Sequence, residues 1–264
     1  MKTALVLTGG GAKGAFEVGV LKEITKKVVP DVIVGTSVGA MNAALYLDGY
    51  DLDRNMQRLE EAWMNTKGIK MFPVNKRIFY KFNKVESLFR NSGIREMIRR
   101  NLRAERFDDL ARPLYINCTK VSNGTNRFFY EGDLRQPLLA TCAIMPFFAP
   151  VMVDREYYID GGHSNYLGLE KAEHLRCDQV ILVNLGYHKQ TKEVKGLVSM
   201  TYYLSEMIRK QMITNAIKNC KVPNLINISP FMPKHIKIND LSHTEELIKM
   251  GQREAKKVVG KIRK

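Results

Sequence analysis

The chain has 264 residues, 45% of them hydrophobic, which is enough for one sizeable core and a single domain spanning residues 1–264. A net charge of +15 suits anionic surfaces, but no helix-turn-helix, zinc-ligand spacing or RNA-binding aromatic signature accompanies it, so specific nucleic-acid recognition is set aside. No apolar run reaches transmembrane length and Ala4–Leu7 is too short for a signal-peptide core; Cys118, Cys142, Cys177 and Cys220 lack paired spacing, so a reduced cytoplasmic protein is expected, without disulfides, metal or organic cofactor.

The first element is a strand over Thr3–Thr8. Gly9-Gly10-Gly11-Ala12-Lys13-Gly14 follows at once, and a helix is expected over Ala15–Lys26. Consecutive glycines between strand and helix leave backbone N–H groups free to point at one negative oxygen, as an oxyanion hole requires. The same pattern is the dinucleotide-binding fingerprint, which asks for an acidic residue about 20 positions on, closing a second strand. Asp31 lies near that distance but precedes the next apolar run instead of ending it, and no Gly-Lys-Ser/Thr of a nucleotide P-loop is present.

That next run, Val32–Val34, reads as a buried strand, and Ala40–Leu47 as a helix. Between them stands Gly35-Thr36-Ser37-Val38-Gly39. A serine on a sharp strand-to-helix turn has its hydroxyl raised above the sheet, and the free N–H groups of the new helix lie beside it. The alternative is an ordinary glycine-serine turn.

The segment from Leu52 to Arg106 is rich in Lys, Arg, Met and Phe and has helical spacing, so a helical excursion over the site is expected. Phe72, Ile78, Phe79, Tyr80 and Phe82 either line an acyl pocket there or anchor the excursion to the core. Strands are expected again at Leu114–Thr119, Val180–Leu185 and Leu225–Ser229. The alternation of strands and helices predicts an α/β fold, three-layer α/β/α, with a largely parallel central sheet. A further strand, Glu156–Ile159, runs into Asp160-Gly161-Gly162, which is either a carboxylate held in a cleft or an aspartate in a glycine turn. Near the end, Leu247, Gly251, Ala255, Val258 and Ile262 form a stripe of apolar and small residues ringed by lysine and arginine. Such a helix either lies on anionic lipid or packs on the core with a solvated charged face.

Together the three glycine-bearing pieces resemble the patatin-like phospholipase family. The match lies in Gly9–Gly14 as the glycine-rich oxyanion loop, Gly35–Gly39 as the nucleophile elbow and Asp160-Gly161-Gly162 as the aspartate motif, in the family's order, with supporting similarity over Ala140–Pro150. It covers about residues 1–190 well and residues 195–264, a strand and basic helices, loosely. The resemblance implies a lipid acyl hydrolase with a Ser–Asp dyad: Ser37 as nucleophile, Asp160 as base, and the N–H groups of Gly9, Gly10, Gly11, Ala12, Lys13, Gly14 and Val38 around the oxyanion. It also implies a phospholipid or other lipid ester as substrate and transient contact with an anionic membrane surface. Departures are Thr8 where relatives often carry an acid, Lys13 where arginine is frequent, and Tyr166 and Gly168 where prolines are common. His163, His174, His188, His235 and His243 all follow Asp160, so chain order leaves a Ser-Asp-His triad open, with His163 nearest the motif. A catalytically silent or regulatory relative and a nucleotide-binding α/β protein are the other readings.

Overall fold

The computed structural model describes residues 1–65, 71–76, 87–186, 197–233 and 235–263. Its centre is an eight-stranded sheet among the described residues. The strands are β1 Thr3–Leu7, β2 Val32–Thr36, β3 Leu114–Lys120, β4 Asn126–Phe129, β5 Val151–Val153, β6 Glu156–Asp160, β7 Gln179–Val183 and β8 Asn224–Ile228. Strands β3, β2, β1, β7 and β8 lie side by side and parallel. β6 and β5 extend the sheet antiparallel beyond β3, and β4 also pairs antiparallel with β3.

The central parallel strands β1, β2 and β7 are buried on both faces, as their largely apolar runs require, whereas the edge strand β8 is only partly covered. Side chains alternate between two cores with the strand period of two. Leu5, Leu7, Ile33, Ile181 and Val183 face one core, Ala4, Val6, Val32, Val34, Val180 and Leu182 the other. The first core is covered by α1 Ala15–Ile24, α2 Val38–Tyr46, α3 Leu52–Met64 and a C-terminal helix, Thr244–Val258; the second by a short helix, Leu169–His174, and a long one, Leu197–Asn219. This is the three-layer α/β/α arrangement.

The excursion begins with α3 and returns through α4, Ser92–Asn101; α5 follows at Arg135–Thr141, the short helix is α6, the long one α7 and the C-terminal one α8. Buried Asp48 ties the excursion down: it accepts from Arg58 Nη1 at 2.9 Å and from the backbone N–H of Ala104 at 2.8 Å. Phe72 falls in an aromatic cluster with Phe89 and Phe148, at centroid separations of 5.6 and 5.9 Å, and so anchors the excursion to the segment that precedes β5. Ile78, Phe79, Tyr80 and Phe82 lie outside the described residues.

Helix α8 answers the question its stripe posed. Leu247, Gly251 and Ala255 are buried, and α8 runs against α1 at backbone contact. A Cβ on Gly251 would stand 2.0 Å from the Phe16 carbonyl oxygen, and one on Gly19 2.0 Å from that of Ile248. The apolar stripe belongs to the protein core and only the charged face meets solvent. No described helix is long and apolar enough to cross a membrane.

Candidate active site

The sheet brings the two motif ends together through β3. Its adjacent residues Asn117 and Cys118 pair with Thr36, at the end of β2, and with Asp160, at the end of β6. β2 runs parallel to β3 and β6 antiparallel, so the two strands finish one residue apart in register. Ser37 follows Thr36 directly, and its side chain comes close enough to the Asp160 carboxyl to favour the carboxylate form. Both side chains are buried, at 4% and 5% exposure.

Ser37 holds φ 55° and ψ −128°, a conformation that favours glycine and costs a side-chain-bearing residue on the order of 1–3 kcal/mol. Its surroundings enforce it. Gly35 sits where a Cβ would lie 2.4 Å from Ala40 Cα, and Gly39 where one would lie 2.4 Å from the Leu7 carbonyl oxygen, so both glycines let α2 start hard against β1 and β2. The Ser37 N–H donates to Thr141 Oγ1 at 2.9 Å, and that hydroxyl donates to the Asn117 carbonyl at 2.6 Å. Asn117 Nδ2 donates to Thr36 Oγ1 at 2.9 Å and to the Asn165 carbonyl at 2.6 Å, knitting the elbow to the loop after Asp160. Gly161 lets that loop close, since a Cβ there would stand 2.4 Å from the Asn117 carbonyl oxygen.

The glycine-rich loop lies over the serine: a Cβ on Gly9 would stand 3.1 Å from Ser37 Cβ and 3.7 Å from its Oγ. The Tyr166 hydroxyl donates to the Gly9 carbonyl, and Thr8 Oγ1 bridges the end of β7, accepting from the Leu185 N–H at 2.9 Å and donating to the Val183 carbonyl at 3.0 Å. The donor set is smaller than the sequence pattern suggested. Ala12 N–H is spent on the Ile238 carbonyl at 2.7 Å, and Lys13 N–H on the Gly10 carbonyl at 3.2 Å. Gly14 serves packing, because a Cβ there would meet Val38 Cγ2 at 2.4 Å. The N–H groups of Gly10, Gly11 and Val38 have no acceptor among the described residues. Ala12 and Lys13 are therefore corrected from oxyanion donors to structural members of the loop: the chain turns there into a short 3₁₀ helix, Gly11–Gly14, that uses its own carbonyls and Ile238.

Burial raises the Asp160 carboxyl above its ordinary 3.8. The Ser37 hydroxyl, the Gly162 N–H at 2.7 Å, and the positive charges of His163 and Arg209 pull the other way. The group is thus a stronger base than a free aspartate yet remains stabilised as an anion. Arg209, on α7, also stands 5.3 Å over the Tyr166 ring. Cys142 lies close to the Ser37 side chain, and burial pushes its thiol up, so it is no competing nucleophile. All four cysteines are free. His163 is exposed, and among the described residues no histidine hydrogen-bonds Ser37 or Asp160. His188 lies outside the described residues.

Sequence reasoning passed over Thr141, Asn117 and Arg209. Thr141 and Cys142 fall in the Ala140–Pro150 stretch that carried part of the resemblance, whereas Arg209 had no signal of its own. The nucleotide reading loses its acidic residue, since Asp31 accepts from the Thr3 N–H at 2.7 Å, at the opposite end of β1 from the glycine loop.

Behind the loop lies a buried carboxyl. Glu17, in the first turn of α1, accepts from Asn42 Nδ2 at 2.8 Å, and Asn42 in turn accepts from Trp63 Nε1 at 2.8 Å. Its Oε1 has no partner among the described residues, and burial lifts the group well above its ordinary 4.5, so the folded protein holds its proton at pH values where a free glutamate ionises. The unfolded chain releases that proton near 4.5 whereas the folded chain keeps it, so this group lowers stability as pH rises from there towards the folded value. Glu17→Gln, which cannot ionise, is expected to melt increasingly above wild type as pH rises above the ordinary 4.5 of a glutamate. A difference in Tm that stays constant with pH would count against a protonated Glu17.

Fold and site define an α/β protein with a serine on a strained turn and a buried aspartate beside it, both at strand ends beneath a glycine loop. The chain belongs to the patatin-like phospholipase family, whose model, described as "Patatin-like phospholipase", matches residues 5–172. It is 29% identical over 191 residues to human "Patatin-like phospholipase domain-containing protein 6", covering 71% of this chain and 14% of that protein. To "Lysophospholipase nte1" of Aspergillus terreus it is 25% identical over 190 residues, covering 69% and 12%, and to "Neuropathy target esterase sws" of Drosophila melanogaster 26% over 190, covering 71% and 13%. The chain thus matches only a small part of the length of these relatives. Among solved structures it is similar to VipD from Legionella pneumophila, with a TM-score of 0.49 and 15% identity, covering 98% of this chain and 67% of that one, a likeness too distant to carry an argument.

Proposed function

We propose that this chain is a single-domain serine lipid acyl hydrolase that cleaves carboxylic esters through a Ser37–Asp160 dyad. The observation that carries the reading is the convergence of Ser37 and Asp160, two buried side chains at neighbouring strand ends beneath the glycine-rich loop, with burial raising the basicity of the carboxyl. In the first half-reaction Asp160 takes the hydroxyl proton as Ser37 Oγ attacks the ester carbonyl. The N–H groups of Gly10, Gly11 and Val38 receive the developing oxyanion, with the N-terminal end of α2 adding its positive pole. Collapse of the tetrahedral intermediate expels the alcohol, which takes the proton from Asp160 and leaves an acyl-serine. Asp160 then deprotonates water to attack that ester, and Ser37 recovers its proton as the fatty acid departs.

The names of the relatives, phospholipase, lysophospholipase and esterase, support lipid esters as the substrate class. So does the apolar rim. Met145 and Phe147, on the segment leading from Cys142, are exposed; so are Met207 and Ile208, beside Arg209, and Ile238, against Gly11. These side chains suit contact with a lipid surface, and the net charge of +15 favours an anionic one, such as the inner face of a membrane. The unpaired cysteines suit a reducing, cytoplasmic setting.

The test is mass spectrometry of a membrane lipid extract incubated with the protein. Free fatty acids and deacylated lipids are expected to accumulate with wild type and not with Ser37→Ala. Equal product in both, or none in either, ends the hydrolase reading.

A further inference from the structure

Away from the dyad, on the far end of the loop that braces the glycine turn, two histidines and a glutamate converge. His235 lies after β8, His243 caps the start of α8, and Glu246 is in the first turn of that helix. His235 Nε2 stands 3.3 Å and His243 Nδ1 3.1 Å from the same oxygen, Glu246 Oε2, and the three ligand atoms all lie within 4.8 Å of one another. A tetrahedral zinc with bonds of about 2.1 Å separates its ligands by roughly 3.4 Å, so two of the three edges are already at metal-binding length. The other ring nitrogen of His243 faces Asp240 Oδ2 at 3.7 Å, and Asp240 is itself held by the Ser242 N–H and hydroxyl at 3.0 and 2.7 Å. A carboxylate behind a histidine is the usual outer partner of a metal-bound imidazole.

We propose that His235, His243 and Glu246 form a divalent transition-metal site, best suited to zinc, that clamps the loop bracing the glycine-rich turn. Two imidazoles and one carboxylate are borderline ligands that favour zinc over magnesium or calcium. The position gives the metal its consequence. Between the two histidines lies Ile238, whose carbonyl accepts the Ala12 N–H at 2.7 Å and against whose backbone Gly11 is pressed. A metal joining His235 to His243 and Glu246 staples residues 235–243 to the start of α8, which is itself locked on α1. The Ile238 carbonyl is then fixed over the Gly11–Ala12 peptide.

The experiment uses untagged, full-length protein stripped with chelator and titrated with ZnCl2 in a calorimeter, with Co2+ absorption spectra as a report on ligand geometry. Neither readout depends on ester hydrolysis, so the metal site and the hydrolase reading fail separately. One equivalent is expected to bind to wild type, to Ser37→Ala and to His174→Ala alike. His235→Ala, His243→Ala and the conservative Glu246→Gln are each expected to weaken binding about tenfold or more. Hydrogen exchange at the Ala12 amide is expected to slow when zinc is bound. Absence of zinc binding by wild type, or undiminished binding by the three variants, overturns the site. Unchanged exchange at Ala12 overturns the clamp.

Discussion

Ser37→Ala is expected to lower ester hydrolysis by a factor on the order of 10⁴ or more while leaving the protein folded. The Ser37 hydroxyl is the one beside the Asp160 carboxyl, whereas the neighbouring Thr36 hydroxyl is engaged by Asn117 Nδ2 at 2.9 Å, so loss of Ser37 leaves only what the oxyanion donors and binding contribute. A fluorophosphonate probe should therefore label wild type and not the variant. The backbone supplies an independent check. Ser37 is held at φ 55°, ψ −128°, where a Cβ is strained, so Ser37→Gly should abolish labelling and raise Tm in the same protein. Glycine's greater freedom in the unfolded chain, about 0.5–1 kcal/mol, offsets part of that gain but not a strain near the upper end of its range. A catalytically silent relative predicts no labelling of wild type either, and that result would remove the enzyme altogether.

Asp160→Asn is expected to cost nearly as much, on the order of 10³-fold or more, because the amide keeps the shape but cannot accept the serine proton. His163→Ala should stay within a few-fold of wild type, since that ring is exposed and reaches the dyad only through its charge. The reverse order in an ester-hydrolysis assay would mean that a histidine is the base. The pH profile carries the same distinction. With Asp160 as the proposed base, working deprotonated, kcat/KM is expected to fall as pH drops through its folded pKa, and burial sets that limb above the ordinary 3.8. Arg209 resists the upward shift, so Arg209→Gln should move the acid limb to still higher pH.

The parts of the site that the chain announces in one dimension are those where only one residue type fits. At Gly35, Gly39 and Gly161 a Cβ would stand 2.4 Å from a backbone atom of another residue, and such positions leave a readable pattern. The central strands β1, β2 and β7 were equally legible, because burial on both faces demands largely apolar runs. Strand β5 has three residues, with Met152 exposed between two buried valines, and β4 carries Asn, Arg and two Phe; neither has a signal that separates it from a loop. Thr141 holds the Ser37 N–H from 104 residues away, and nothing local marks a threonine for that duty. The donor set was overcounted for the same reason: whether a glycine-loop N–H is free depends on Ile238, which no local spacing could place opposite Ala12. The C-terminal stripe was ambiguous for a different cause, since a helix that buries its small residues on a neighbour and one that floats on lipid share a periodicity. The close approach of Gly251 to Phe16 decides between them.

Because Ile238 receives the Ala12 N–H, the amount of polypeptide needed to assemble a working centre exceeds the amount that carries its signature. The family match ends at residue 172, but Arg209, the last parallel strand and the α8 clasp on α1 all come later. Even the final residues are seated: Arg263 N–H donates to Gln179 Oε1 at 2.9 Å and its carbonyl accepts from Gln179 Nε2 at 3.2 Å, closing the far end of the sheet. A shortened version that stops after the Asp-Gly-Gly motif would retain Ser37 and Asp160 and lose the struts that hold their roof in place.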